Sequence, residues 1–343
     1  MNKTKILVTG GLGFIGSHTV VELIQSGLEP IIVDDLSNSE LFILDRIEQI
    51  TGSRPKFYPY DVCDSDKLKT VFSENKNIKA CIHFAAKKAV GESMKIPLVY
   101  YRTNLVSLLN VLETMKEFNA DCFVFSSSAT VYGQPEHLPA NESSPLQKAT
   151  SSYGSTKQMA EDILEKVSAT GSLKTLSLRY FNPVGAHQSA LIGELPKGIP
   201  NNLMPFVTQT AIGIREKLTV FGNDYNTPDG TCIRDYIHVV DLAKAHVNAC
   251  NYLLTHADSI SYDVFNIGTG KGISVLEIVS AFEEVNKVKV PYIIGSRRDG
   301  DVESIYASCS KANQILKWEA QYTLEDMVKD AWNWEKAYRK HTK

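Results

Sequence analysis

Lys5-Ile6-Leu7-Val8-Thr9-Gly10-Gly11-Leu12-Gly13-Phe14-Ile15-Gly16 runs an apolar, β-branched strand pattern straight into glycines three apart, at Gly10, Gly13 and Gly16, and then into a helical pattern. A turn this tight needs residues without Cβ, and the missing side chains let backbone amides and a helix N-terminus approach an anion. Glycines alone are weak evidence, since loops are rich in them. Their place between a strand and a helix gives them weight. Asp34 closes the next strand pattern, where a carboxylate accepts hydrogen bonds from both hydroxyls of an adenosine ribose and repels a 2′-phosphate. Together they predict a βαβ unit that binds NAD, with a turn-capping role as the plainer alternative for Asp34.

Outward from this unit, short β-branched runs alternate with helical patterns, the signature of a parallel sheet covered on both faces. Strands are expected at Lys5 to Thr9, Pro30 to Asp34, Lys56 to Tyr60, Ala80 to Phe84, Cys122 to Ser126 and Thr175 to Arg179. The longest helices are expected at Leu98 to Phe118 and Tyr153 to Val167. After Asn182 prolines and glycines punctuate the chain, and helical patterns return at Pro205 to Ile214, Val240 to Leu254, Val275 to Asn286 and Leu324 to Tyr338, with a strand at Asp263 to Gly268. Trp318, Trp332 and Trp334 read as core aromatics. The expected fold is α/β: a Rossmann-like doubly wound parallel sheet over residues 1–182, to which some later segments return, and a smaller mixed α/β substrate lobe over 183–343.

The 343 residues, 43% hydrophobic and 22% charged, suffice for two such lobes with a sizeable core. A net charge of −3 without basic runs gives no reason to expect nucleic acid or an anionic membrane as partner. Six scattered cysteines, with neither metal nor disulfide spacing, suggest reduced thiols and no metal site. The apolar strand begins too near Met1 for a signal peptide, so the expected location is the cytoplasm.

Tyr153-Gly154-Ser155-Thr156-Lys157 places a phenol and an ammonium on one face of a helix. An ammonium beside a phenol favours the phenolate, so Lys157 is expected to lower the Tyr153 pKa and make it a general base. Taken alone, such a pair is usually just helix surface. Ser126-Ser127-Ser128-Ala129-Thr130 ends the fifth strand, and ligands of open α/β sheets lie outside the carboxyl ends of the strands. Ser128 is the preferred proton partner of Tyr153, although an ST-turn fits Ser126 or Ser127 as well. Arg234 and Arg298 offer planar forks suited to a diphosphate, against a bland alternative of surface salt bridges. His83 and His238 read as strand-end hydrogen-bonding residues.

The glycine motif, the Ser128, Tyr153 and Lys157 set, and Arg179-Tyr180-Phe181-Asn182-Pro183-Val184-Gly185-Ala186 resemble the extended short-chain dehydrogenase/reductases. Within them the chain resembles the UDP-glucose (UDP-galactose) 4-epimerase family along nearly its whole length. Gly198-Ile199-Pro200-Asn201-Asn202-Leu203-Met204-Pro205 is among the matches, and the more specific ones are Phe221-Gly222-Asn223-Asp224-Tyr225, Arg234-Asp235-Tyr236-Ile237-His238-Val239 and Arg297-Arg298-Asp299-Gly300-Asp301. The resemblance implies NAD contacts at Gly10, Gly13, Phe14, Ile15, Gly16, Asp34, Asp35, Asn38 and Ser39. It implies Asp61 and Val62 near the adenine, with Phe84, Ala85, Lys88, Tyr153 and Lys157 toward the ribose and nicotinamide, and Phe181 against the nicotinamide. For the UDP-sugar it implies Lys88, Ser128, Tyr153, Asn182, Asn202, Thr219, Val220, Phe221, Arg234, Arg298, Asp301 and Ile305.

The implied reaction is inversion at C4 of a UDP-hexose through a 4-keto intermediate, with tightly bound NAD regenerated in each turnover, since no side chain accepts hydride. Dehydratases of this superfamily carry Thr-Asp-Glu where this chain has Ser128-Ala129-Thr130, which disfavours elimination. A non-catalytic NAD-sensing protein is disfavoured by the intact Ser128, Tyr153 and Lys157 set. In the family, the position of Ile305 excludes a C2 N-acetyl group when bulky and aromatic and admits it when small. Ile305 matches neither, so a UDP-N-acetylhexosamine is the alternative substrate. The resemblance further implies a homodimer paired through two long helices per subunit, here those beginning near Leu98 and Tyr153.

Overall fold

The structure, a computed structural model, describes residues 3–256, 260–298 and 300–341. Asp299, part of the arginine-rich motif, lies outside the described residues. The first half runs β1 (Lys5–Thr9), α1 (Phe14–Gln25), β2 (Glu29–Val33), α2 (Phe42–Thr51), β3 (Lys56–Tyr58), α3 (Ser65–Glu74), β4 (Ile78–His83), α4 (Val90–Lys95), α5 (Pro97–Glu117), β5 (Cys122–Ser126), α6 (Ser152–Ala169) and β6 (Lys174–Tyr180). The second half adds β7 (Asn182–Val184), α7 (Leu203–Ala211), β8 (Leu218–Phe221), β9 (Ile233–Arg234), β10 (Tyr236–His238), α8 (Val239–His256) and β11 (Tyr262–Ile267). It ends with β12 (Ile273–Ser274), α9 (Val275–Asn286), β13 (Tyr292–Gly295), β14 (Ser304–Ile305) and α10 (Leu324–His341).

Seven strands form one parallel sheet in the order β11-β6-β5-β4-β1-β2-β3. Alternate residues of β1 serve opposite faces: Ile6 and Val8 pack with Val20 of α1 and Leu253 of α8, whereas Leu7 packs with Val111 of α5 and Leu164 of α6. Both faces are dry, which is why the strands read as continuous apolar runs. Two elements from beyond Asn182 complete this layer, because β11 pairs with β6 and α8 packs on α1.

The remaining chain builds a smaller lobe around Val207, Val220, Ile278, Phe282 and Val328. Its sheets are short: β8 with β13, β9 between β12 and β14, and β7 with β10. These strands have two to four residues each, too few for a period to show in a stretch that prolines and glycines mark as loop. Trp318 and Trp334 are buried and Trp332 packs against the small core. Among the described residues no helix is long and apolar enough to cross a membrane, and no three ligating side chains are grouped to hold a metal.

Candidate active site

The sheet order reverses at β1, whose neighbours are β2 and β4, so a crevice opens beyond the carboxyl ends of these strands. The glycine turn lies there. Gly10 has φ +67°, and a Cβ on it would sit 2.9 Å from the Ala85 nitrogen. A Cβ on Gly16 would come within 2.2 Å of the Gly10 carbonyl oxygen, a backbone atom that cannot yield. Gly13 is the N-cap of α1; no side chain caps the helix and no acidic residue stands in its first turn. Its amides and dipole therefore face the crevice, a cradle suited to a pyrophosphate.

The Asp34 carboxylate is buried and aimed by its neighbours. Oδ2 accepts the Leu12 amide at 3.0 Å, while Oδ1 accepts the Leu36 amide at 3.0 Å and the Ser39 hydroxyl at 2.6 Å. Three bonds leave part of the carboxylate's acceptor capacity for a ribose hydroxyl. Asp35 and Asn38 are exposed on the same turn. Asp61 holds the Cys63 amide, Val62 is buried beside α5, and Phe84 and Ala85 follow β4 and bond to Thr9. These residues, taken as one set, fit the adenosine, pyrophosphate and ribose of NAD.

Beyond β5 the three serines divide their tasks. Ser127 donates to Glu161 Oε1 at 2.5 Å, and the Ser126 carbonyl accepts Lys157 Nζ at 2.6 Å. Ser128 is the one that stands beside the Tyr153 phenol, where its hydroxyl favours the phenolate. Tyr153 and Lys157 lie on α6, one turn apart, with Nζ 5.8 Å from the phenol ring centroid. Ser151 caps that helix, and Ser93 accepts the Tyr153 amide, so the phenol enters the crevice on a fixed backbone.

The electrostatics differ from the sequence expectation. Burial, seconded by nearby Tyr180, pushes the Tyr153 pKa up, and the Ser128 hydroxyl only partly opposes it. Lys157 is itself lowered to about 8 by burial, against the attraction of Glu161. The ammonium is spent on the Ser126 carbonyl, so within the protein it does not bring the phenol down as expected.

The small lobe supplies the facing wall. Arg298 forks onto Asp301 with Nη2 to Oδ1 at 2.6 Å and Nε to Oδ2 at 3.1 Å, and Arg234 approaches the same carboxylate at 3.6 Å. Two guanidiniums on one carboxylate leave a net positive patch suited to a diphosphate. Arg298 also lies over the ring of Phe221, at the end of the β8 run from Thr219 through Val220. Phe181 and Ile305 are packed in one cluster with Tyr132 and with Ala129, the residue after Ser128. Asn182 begins β7, its amide donating to the Asp235 carbonyl. Asn202 donates to Glu194 Oε1 at 2.6 Å, and Lys88 stands 3.9 Å from that same oxygen.

Two features escaped the sequence reading. Glu161 accepts Ser127 and pairs bidentately with buried Arg179, whose Nη1 also donates to Tyr132. Glu161 falls one turn after Lys157, a spacing that could have revealed it. Glu194 gave no signal, for it sits in a segment without periodicity.

Fold and site together define an extended short-chain dehydrogenase/reductase, and the family model described as GDP-mannose 4,6 dehydratase matches residues 7–331. A UDP-glucose 4-epimerase of Dictyostelium discoideum is 52% identical over 332 residues, covering 96% of this chain and 95% of its own. The crystal structure of a UDP-glucose 4-epimerase from Stenotrophomonas maltophila, with bound NAD and formylated UDP-arabinopyranose, superposes with a TM-score of 0.95 at 47% identity, over 98% of this chain and 99% of that one. One from Bifidobacterium longum, with NAD+ and UDP, gives 0.93 at 48% identity over the same shares. The chain belongs to the UDP-glucose 4-epimerase family.

Proposed function

We propose that this chain interconverts UDP-galactose and UDP-glucose by inverting C4 of the hexose, with resident NAD regenerated in every turnover. The observation that carries the reading is the Tyr153 phenol, set beside Ser128 and backed by buried Lys157, at the carboxyl end of the sheet beside an uncapped glycine turn. The solved relatives that hold NAD and a uridine nucleotide support it. NAD, when bound, supplies the hydride acceptor and donor, and its oxidised ring brings positive charge to the Tyr153 site. Gly10, Gly13, Phe14, Ile15 and Gly16, the Asp34 turn with Asp35, Asn38 and Ser39, and Asp61, Val62, Phe84, Ala85, Lys88 and Phe181 would hold it.

In this proposal Tyr153 removes the C4 hydroxyl proton, with Ser128 sharing that proton and Lys157 stabilising the phenolate. The 4-keto hexose stays tethered through UDP by Asn182, Asn202, Thr219 to Phe221, Arg234, Arg298 and Asp301. Anchoring by the diphosphate leaves the sugar free to turn its other face, and Tyr153 then returns the proton. Residues 1–182 act mainly on NAD and 183–343 mainly on the UDP-sugar. Ile305, aliphatic and packed near Phe181, makes a UDP-N-acetylhexosamine the second substrate class.

Replacing Tyr153 with Phe should lower kcat by roughly 10² to 10⁴, the worth of a general base, while the circular dichroism spectrum and Tm stay those of the parent. Near-normal turnover would overturn the assignment. The active unit is proposed to be a homodimer formed by α5 and α6, where Leu98, Val99, Leu109 and Met159 face outward. Six unpaired thiols fit a reducing compartment, the cytoplasm.

A further inference from the structure

We propose that residues 193–202 form a strap across the mouth of the cofactor groove, with Lys197 and Glu194 as the positioning residues that pin it and retain the dinucleotide. The inference rests on the NAD-site reading above and goes beyond it to two side chains of the opposite lobe.

The strap begins on the last helix. Gly193 lies flat on the indole of Trp334, where a Cβ would approach to 2.4 Å, and the Glu194 carbonyl accepts the Trp334 Nε1 proton at 3.0 Å. From this root the segment reaches the sheet layer at two points. Lys197 Nζ donates to the Leu36 carbonyl at 2.8 Å and lies 3.3 Å from Glu40 Oε1, both on the turn that follows β2. Glu194 Oε1 lies 3.9 Å from Lys88 Nζ, on the loop that follows β4, and the same oxygen accepts the Asn202 side-chain amide at 2.6 Å.

The order β4-β1-β2 fixes what lies between these pins. Strands two places apart in a sheet are separated by roughly 9.6 Å, and three residues of extended chain reach about 10 Å. The stretch from Glu194 to Lys197 is therefore long enough to pass over β1, which ends in the glycine turn. The pins differ in character. Lys197 and Glu40 are well exposed, so their attraction is screened by salt. Glu194 is mostly buried, and its carboxylate faces a half-exposed Lys88.

The test follows NAD release from the protein as purified, using a coupled dehydrogenase that captures each molecule set free. Lys197→Ala should release NAD roughly two- to fivefold faster than the parent, the range of an exposed charged contact. Its release should depend less steeply on sodium chloride, and Lys197→Arg should restore the parental rate. Lys289→Ala, which removes an exposed ion pair elsewhere on the small lobe, serves as the control. Glu194→Gln keeps an acceptor for Asn202 but removes the charge facing Lys88, and it too should accelerate release. Parental release rates and salt dependence in NAD-loaded Lys197→Ala would overturn the strap alone. A parent protein that neither carries nor binds NAD would overturn the strap and the cofactor reading together.

Discussion

Gly16 shows how little freedom the cofactor end has. Its missing side chain lets the Gly10 carbonyl approach to a distance no Cβ tolerates. Gly16→Ala should destabilise the fold by about 1–3 kcal/mol, the usual cost of overpacking, and should yield protein depleted of NAD on purification. Thermal unfolding and the nucleotide content of the purified protein check both. At this scale much was legible: Gly10, Gly13, Gly16, Asp34, Tyr153 and Lys157 announce themselves by spacing. The choice among Ser126, Ser127 and Ser128 was not, since only the fold shows that Glu161 claims Ser127 and that Ser128 stands beside Tyr153. The direction of the Tyr153 shift was also hidden, because burial at this depth is a property of packing and no helix spacing reports it.

The element that organises the chemistry is α6, which carries Tyr153, Lys157 and Glu161 on successive turns. Glu161 ties the helix to β6 through Arg179, and removing one partner of a buried pair costs about 3–5 kcal/mol. The opposite face of α6, with α5, exposes Leu98 and Leu109 together with Met159. Leu98→Arg combined with Leu109→Arg should turn a dimer into a monomer in sedimentation equilibrium, with the far-ultraviolet circular dichroism unchanged. A dimer that persists would remove these helices as the interface. Both helices were legible because their patterns are long; the ends found, Pro97–Glu117 and Ser152–Ala169, lie within a residue or two of the expected ones. The seven short strands of the small lobe and its margins were not, since two to four residues cannot display a period.

The whole molecule is two lobes facing each other across the carboxyl ends of one sheet, and its buried histidines make that assembly sensitive to acid. Burial lowers His18 and His83 to about 3 and His246 to about 4, below the ordinary 6.5. In each case the unfolded chain takes up a proton that the fold refuses, so stability is present above pH 6.5 and is lost as pH falls through the window below it. His246→Leu should flatten the fall in unfolding free energy between about pH 6 and 5 by at most about 1.4 kcal/mol per pH unit, measured with urea at fixed NAD. An unchanged slope would show that His246 is protonated in the fold. At this scale the parallel sheet and its helices could be read from apolar runs. The contributions of α8, β11 and the strap could not, because they depend on where the chain returns in space.

Central to the proposed function is a hydride that leaves C4 and comes back to the same carbon within one binding event. UDP-galactose carrying deuterium at C4, given to the protein as purified with no NAD added, tests it directly. The predicted product is UDP-glucose with the deuterium still at C4 and none in the solvent. Loss of the label to water, or conversion only when NAD is added in proportion to substrate, would contradict it.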